Sequence, residues 1–315
     1  MDKKIPLVAV IGPTASGKTG LAVKIAENFG GEVISADSMQ IYSELTIGTA
    51  KPTEKEMQGI PHHLIGHKSI DDVYSVADYV EEAKVIIEDI YSRGKLPVLC
   101  GGTGLYVDSL LTNTEFSEIK SDSEIRRKLF EFADINGNEA LFEKLVEIDP
   151  ESASKTHANN LLRVVRALEV FEITGKTMSE HQRDSHPKPS IYDICYIGTN
   201  FADREKLYAR IEQRIDEMLK EGVEEEAKFL FEHDGACTAA QAIGYKEFYP
   251  YFRNEMSREE AIELLKKETR HYAKRQLTWF RRNDKINWLN RDEFENPEEL
   301  CSKAFEIINE FLEKK

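Results

Sequence analysis

"VAVIGPTASGKTGLAVKIAENFGG" (residues 8–31) joins a continuous apolar run to a glycine-rich turn and then to a helical pattern. Gly12, Gly17, Lys18 and Thr19 satisfy the spacing G-x-x-x-x-G-K-[ST], in the strand-to-helix context that this spacing requires. Glycines let the turn wrap close around an anion. Successive backbone N–H groups and the helix N-terminus point at it, and a lysine adds a full positive charge. Gly12, Pro13, Thr14, Ala15, Ser16, Gly17, Lys18 and Thr19 therefore form an expected loop for a di- or triphosphate.

Outward from that loop, strands and helices alternate. "IPLVAVIG" (5–12), "GEVISAD" (31–37) and "LPVLC" (96–100) read as strands. Helical periodicity runs from the loop through Phe29 and again along "VYSVADYVEEAKVIIEDIYSRG" (73–94). Such alternation calls for crossover connections, so the expected fold class is α/β, a P-loop-type parallel sheet with helices on both faces. Between 113 and 190 the pattern is helical, as in "DSEIRRKLFEFAD" (122–134) and "NNLLRVVRALEVFEITG" (159–175), before "IYDICYIGTN" (191–200) resumes strand character. The expected organisation is a core domain of residues 1–112 and 191–315, interrupted by an inserted all-helical domain at 113–190. Long helices follow Asp203, then a short strand in "KINWL" (285–289) and an amphipathic final helix.

At 315 residues, 41% hydrophobic and 31% charged, the chain reads as a globular protein large enough for a core and an elaboration. A net charge of −15 argues against nucleic acid if only the total is considered. Yet "KKETRHYAKRQLTWFRRNDK" (266–285) sets eight Lys/Arg against two acids, while "EGVEEEA" (221–227) concentrates the opposite sign. The N-terminal apolar run leads straight into the loop, so it reads as a buried strand and not a secretion signal. No stretch approaches the roughly 20 apolar residues of a membrane span. Cys100, Cys195, Cys237 and Cys301 show no CxxC spacing, which suggests neither a disulfide framework nor a zinc site. A cytoplasmic protein is expected.

Enzymes that hydrolyse ATP on such a loop place an acid at the end of a second apolar strand to organise Mg²⁺. Here "LPVLC" runs into Gly101, Gly102, Thr103 and Gly104 with no carboxylate. The nearest acid is Asp37, at the end of "EVISAD" and on the same carboxyl edge of the sheet, where open α/β folds bind ligands. Asp37 and Thr103 become the candidate chemistry. A turn or cap role for Asp37 and a local hydrogen bond for Thr103 are the competing readings. His62 and His63 are adjacent, not at a metal-binding helical spacing, and "PHHLI" is expected to order a loop above the site.

"GPTASGKT" (12–19), "SADSMQIY" (35–42), "GTAKP" (48–52), "PHHLI" (61–65), "GGTGLY" (101–106), "RALEVF" (166–171) and "QAIGYKE" (241–247) stand in this order along most of the chain. Together they resemble the bacterial tRNA dimethylallyltransferases, also called tRNA isopentenylpyrophosphate transferases; the zinc-finger extension of eukaryotic members is not expected. The resemblance implies transfer of the dimethylallyl group from dimethylallyl diphosphate to N6 of the adenosine 3′-adjacent to the anticodon, with the loop holding a diphosphate leaving group. It implies Asp37 as general base and Thr103 near the adenosine or reacting centre. Lys18, the loop amides, Mg²⁺ near Thr19, and Arg204 and Arg210 would hold the diphosphate, with Arg214 one turn further on. Surface ion pairs with Glu205, Glu212 or Asp216 compete for these arginines.

For tRNA, the resemblance implies base contacts from Asp37, Ser38, Met39 and Gln40 and contacts from Gln241 and Lys246. It also suggests a grip on the anticodon stem-loop by Arg126, Arg163 and Arg166, for which structural ion pairs are the rival. Lys267, Arg270, Lys274 and Arg281 recur at helical intervals and can track phosphates, with Tyr272 and Trp279 nearby. A monomer is expected. The alternative is a small-molecule or nucleoside kinase using ATP, which would share the loop, an acceptor-activating Asp37 and an arginine-bearing helical lid. A nucleotide switch would need a segment that senses a γ-phosphate, and none is recognisable.

Overall fold

The computed structural model describes residues 4–113, 119, 121–184, 189–233 and 238–314, apart from the side chain of Gln241. The chain divides into two units, Met1–Leu111 with Ser190–Lys315, and Thr112–Pro189.

The larger unit is built on six strands: β1 (Ile5–Ile11), β2 (Gly31–Ser35), β3 (His62–His63), β4 (Leu96–Gly101), β5 (Tyr192–Asn200) and β6 (Asn287–Asn290). They lie in the order β3-β2-β4-β1-β5-β6, and every pairing is parallel. β1 is apolar along its whole length because both faces of a parallel sheet are covered. Val8 and Val10 enter a cluster with Leu21 and Ile25 of helix Lys18–Phe29 and Leu300 and Ile308 of helix Pro297–Glu313. Those two helices also meet through Phe29 and Phe305, edge to face at 5.7 Å. Leu7, Ala9 and Ile11, which alternate with these valines, are equally buried.

β3 is a departure from the sequence reading. "PHHLI" supplies an edge strand paired with β2 through Val33–His62 and Ile34–His63, so it extends the sheet and does not order a loop above the site. His63 Nε2 lies 2.8 Å from Glu32, which also takes Arg93 and Lys95. A buried carboxylate that gains three partners holds this edge together.

The smaller unit is helical. Helices Ser123–Asn136, Asn138–Ile148 and Leu161–Thr174 bury Leu129, Leu141, Leu145, Val164 and Leu168 in a core of their own. Glu169 is fully buried there and binds Arg126 and Arg166.

Candidate active site

The register of the central strands brings three turns to one edge of the sheet. Ser35 of β2 is paired with Cys100 of β4, and Ile11 of β1 with Gly101 of β4. The segments that follow these strands, 12–19, 36–40 and 102–104, therefore emerge side by side. The backbone locks two of them: Thr103 N donates to Ala36 O at 3.1 Å, and Ser38 N donates to the Thr103 hydroxyl at 3.1 Å.

Helix Lys18–Phe29 starts differently from its neighbours. Helices Val76–Ser92 and Arg258–Phe280 are closed by capping boxes on Ser75 and Ser257, whereas Gly17 caps with no side chain at φ 82° and the first turn holds no acid. That left-handed conformation suits glycine, and the first-turn amides remain available to an outside anion.

A pocket of about 330 Å³ opens at this edge. Thr14, Ala15, Lys18 and Thr19 line it from the loop, Asp37, Ser38 and Met39 from the turn after β2, and Arg214 from helix Arg204–Glu221. Ile211, Ile215 and Met218, about one turn apart on that same helix, add apolar wall together with Ile243 and Leu265. The cavity thus combines fixed cations and amides with a greasy surface.

Lys18 Nζ donates to Pro13 O at 2.7 Å. Burial lowers its pKa to about 8; nearby Arg214 adds to the depression, while Cys100 and Asp37 oppose it. Burial also lowers the pKa of Arg214, which has no ion pair within 4 Å among the described residues. Two desolvated cations sharing one pocket would be compensated by a polyanion. Lys18 is charged below its pKa and neutral above it, so the affinity for inorganic diphosphate is expected to fall as pH rises through about 8. The fall approaches about tenfold per pH unit if only the charged form binds. Titration calorimetry between pH 6.5 and 9.5 checks this, with Lys18→Met expected to bind weakly and without the inflection; a flat wild-type profile would contradict it.

Asp37 serves both of its competing readings. Oδ1 accepts the N–H of Met39 at 2.9 Å and of Gln40 at 3.4 Å, a turn-forming pattern, while the pocket-lining carboxylate keeps Oδ2 without a hydrogen bond among the described residues. Thr103 has the local bond to Ser38 and is not part of the pocket wall. Its hydroxyl is also bonded to Tyr272, a half-buried pocket residue whose pKa is raised by desolvation and by Asp37. Gln40 is committed elsewhere: its amide donates to Thr49 O and Ala50 O and accepts from Ser35, so it holds the "GTAKP" segment in place of offering free donors to a base.

The arginines sort clearly. Arg214 lines the pocket; Arg204 is exposed and 3.6 Å from Glu205, and Arg210 donates to Gln213 at 3.0 Å outside the pocket wall. In the smaller unit, Arg126 and Arg166 both serve Glu169, which favours the structural reading for each, while Arg163 is exposed with no ion pair among the described residues. On helix Arg258–Phe280, Arg270 pairs with Glu212 at 2.6 Å, whereas Lys267 and Lys274 are exposed, as is Arg281 at its C-cap. Lys246 is half-buried in a short helical turn, and the Gln241 side chain lies outside the described residues.

Several contributors carried no sequence signal. Glu226 accepts from the N–H groups of Ile47 at 3.0 Å and Gly48 at 2.9 Å and from the Tyr245 hydroxyl at 2.8 Å, fixing the segment that lines the pocket at Gly48 to Ala50. Nothing in "EGVEEEA" separates it from its acidic neighbours. The Arg291 guanidinium lies over Gly17, so a side chain there would have to push it aside. His271, Lys274, Arg275, Trp279 and Arg282 line a second, basic groove, in which Arg282 stacks on the indole at 4.1 Å and Trp279 Nε1 donates to Asp108. Among the described residues no group of three or more His, Cys, Asp or Glu is placed to hold a metal.

Residues 40–283 match the family model described as IPP transferase. The chain is 50% identical over 307 residues to the tRNA dimethylallyltransferase of Thermoanaerobacter sp. (strain X514), covering 96% of this chain and 98% of that one. It is 45% identical over 307 residues to the tRNA dimethylallyltransferase of Halalkalibacterium halodurans, covering 97% and 96%. Among solved structures, the full-length tRNA isopentenylpyrophosphate transferase of Bacillus halodurans matches with a TM-score of 0.73 at 42% identity over 99% of this chain and 98% of that one. A eukaryotic dimethylallyltransferase acting on tRNA matches with a TM-score of 0.80 at 31% identity over 99% of this chain and 80% of that one.

Proposed function

This chain belongs to the IPP transferase family and is a tRNA dimethylallyltransferase, and from that premise we propose that it moves the dimethylallyl group of dimethylallyl diphosphate onto N6 of the adenosine 3′-adjacent to the anticodon. The observation that carries this reading is the composition of one pocket: phosphate loop, Lys18 and Arg214 for a diphosphate, Ile211, Ile215 and Met218 for a short prenyl chain, and the Asp37 carboxylate beside them.

An adenine N6 is a weak nucleophile because its lone pair is delocalised into the ring. As the bond from N6 to the prenyl carbon forms and the carbon–oxygen bond to diphosphate breaks, Asp37 accepts the N6 proton and the diphosphate leaves with the bonding electrons. Lys18, Arg214 and the amides at the start of helix Lys18–Phe29 meet the charge that develops on the leaving group. Mg²⁺ needs few protein ligands when phosphates and waters complete its shell. The Thr19 hydroxyl lines the pocket one residue from Lys18, so it fits a phosphate-borne ion, which when bound would neutralise part of the diphosphate charge.

Extracting the base from the anticodon stack costs a few kcal/mol, and RNA contacts must supply that. Lys274, beside Trp279 in the basic groove, contributes through phosphate contact, and exposed Arg163 does so from the helical unit. Lys274→Ala is expected to weaken tRNA binding and reduce the slope of log K against log salt by about 1. An unchanged salt slope in filter-binding titrations would remove Lys274 from the RNA surface. No helix among the described residues is long and apolar enough to cross a membrane, and the reading includes action in the cytoplasm as a monomer.

The deciding experiment incubates the protein with Mg²⁺, tRNA and either radiolabelled dimethylallyl diphosphate or γ-labelled ATP. Label is expected to enter tRNA from the first alone; transfer of label from ATP alone would overturn the reading in favour of a kinase.

A further inference from the structure

We propose that Gln276 is a specificity-determining residue that closes one end of the phosphate loop, so that the loop accepts two phosphates and rejects three. This rests on the reading that the loop holds a diphosphate.

In loops of this type the lysine reaches the β- and γ-phosphates of a nucleotide. Here Lys18 Nζ sits on Pro13 O at 2.7 Å, so the Pro13–Thr14 peptide marks the end of the cradle toward which a third phosphate would extend. That end is already filled. Gln276 Oε1 accepts the Thr14 N–H at 2.8 Å, and Gln276 Nε2 donates to Gly102 O at 2.9 Å. The side chain is only 6% exposed, and both it and Thr14 form part of the pocket wall. Gly102 is shaped to admit the amide, because a side chain there would collide with Nε2.

The two hydrogen bonds make the closure selective. A phosphate oxygen could replace Oε1 as acceptor for Thr14, but it cannot donate to Gly102 O. It would instead set negative charge against that carbonyl. Displacing the amide would therefore leave a buried acceptor unpaired, a cost that a third phosphate must meet and a diphosphate does not. Being neutral, the amide adds no repulsion against a diphosphate seated on the remaining amides, Lys18 and Arg214. Gln276 lies on the same helix as Lys274, so the residue that limits the loop is anchored on the proposed RNA-facing element and not on the loop itself.

The test uses the full-length protein with Mg²⁺ and titrates inorganic diphosphate and inorganic tripolyphosphate calorimetrically. The wild type is expected to bind diphosphate at least about tenfold more tightly, and Gln276→Ala to bring the two within about threefold, mainly by tightening tripolyphosphate. Equal wild-type affinities overturn the proposal without recourse to any variant, and so does an unchanged ratio in the folded alanine variant. Either of those outcomes together with normal dimethylallyl transfer to tRNA by the wild type overturns the role of Gln276 alone; absence of that transfer overturns the functional reading beneath it.

Discussion

Asp37→Ala is expected to lower kcat by about 10²- to 10⁴-fold, the usual contribution of a positioned general base. The affinities for tRNA and dimethylallyl diphosphate should stay close to wild type. The geometry separates the two jobs of this side chain. Oδ1 holds the turn through the amides of Met39 and Gln40, and Oδ2 is the oxygen left for a proton. Asp37→Asn tests that separation, because an amide oxygen can keep the turn while the basic oxygen is lost. Single-turnover transfer of labelled prenyl groups should be as slow in Asn as in Ala, with thermal stability restored only in Asn. Turnover near the wild-type rate in either variant would remove Asp37 from the chemistry.

Arg214→Ala is expected to cost about 10²- to 10³-fold in kcat, or about 2.7–4 kcal/mol of transition-state stabilisation, as for loss of one donor aimed at developing charge. The same change should not lower the melting temperature. Burial depresses the pKa of Arg214 in the free protein by more than the nearby charges of Asp37 and Glu56 restore, so removing the charge relieves a cost of folding. Activity and stability therefore move in different directions, which a merely structural arginine would not produce. Arg204→Ala, at an exposed side chain beside Glu205, serves as the contrast and is expected to change kcat by less than about threefold. A comparable loss at both positions, or a large fall in melting temperature for Arg214→Ala, would contradict the assignment.

How much could be read in advance depends on where each signal resides. The α/β fold was legible because β1 and β4, at the centre of the sheet, are continuous apolar runs, a consequence of burial on both faces, and because "GPTASGKT" marks the first crossover. β3 was not legible, since two histidines at a sheet edge have no periodicity to detect. The turn after β2 was found from its acid, but the commitment of the Gln40 amide to Thr49 and Ala50 was not. Helical spacing made Lys267, Arg270 and Lys274 look equivalent, and it could not see that Glu212, on another helix, takes Arg270.

By itself the sequence determined the strand-to-helix phosphate loop, the acid at the end of β2 and the basic stretch at 266–285, because each is a property of neighbouring residues. Only the tertiary structure decided which arginine of helix Arg204–Glu221 faces the pocket, that Glu226 fastens the segment at 46–48, and that Gln276 closes on Thr14 across 262 positions of chain. Those choices depend on which groups strand register and helix packing bring within hydrogen-bond distance, and no local pattern encodes that distance.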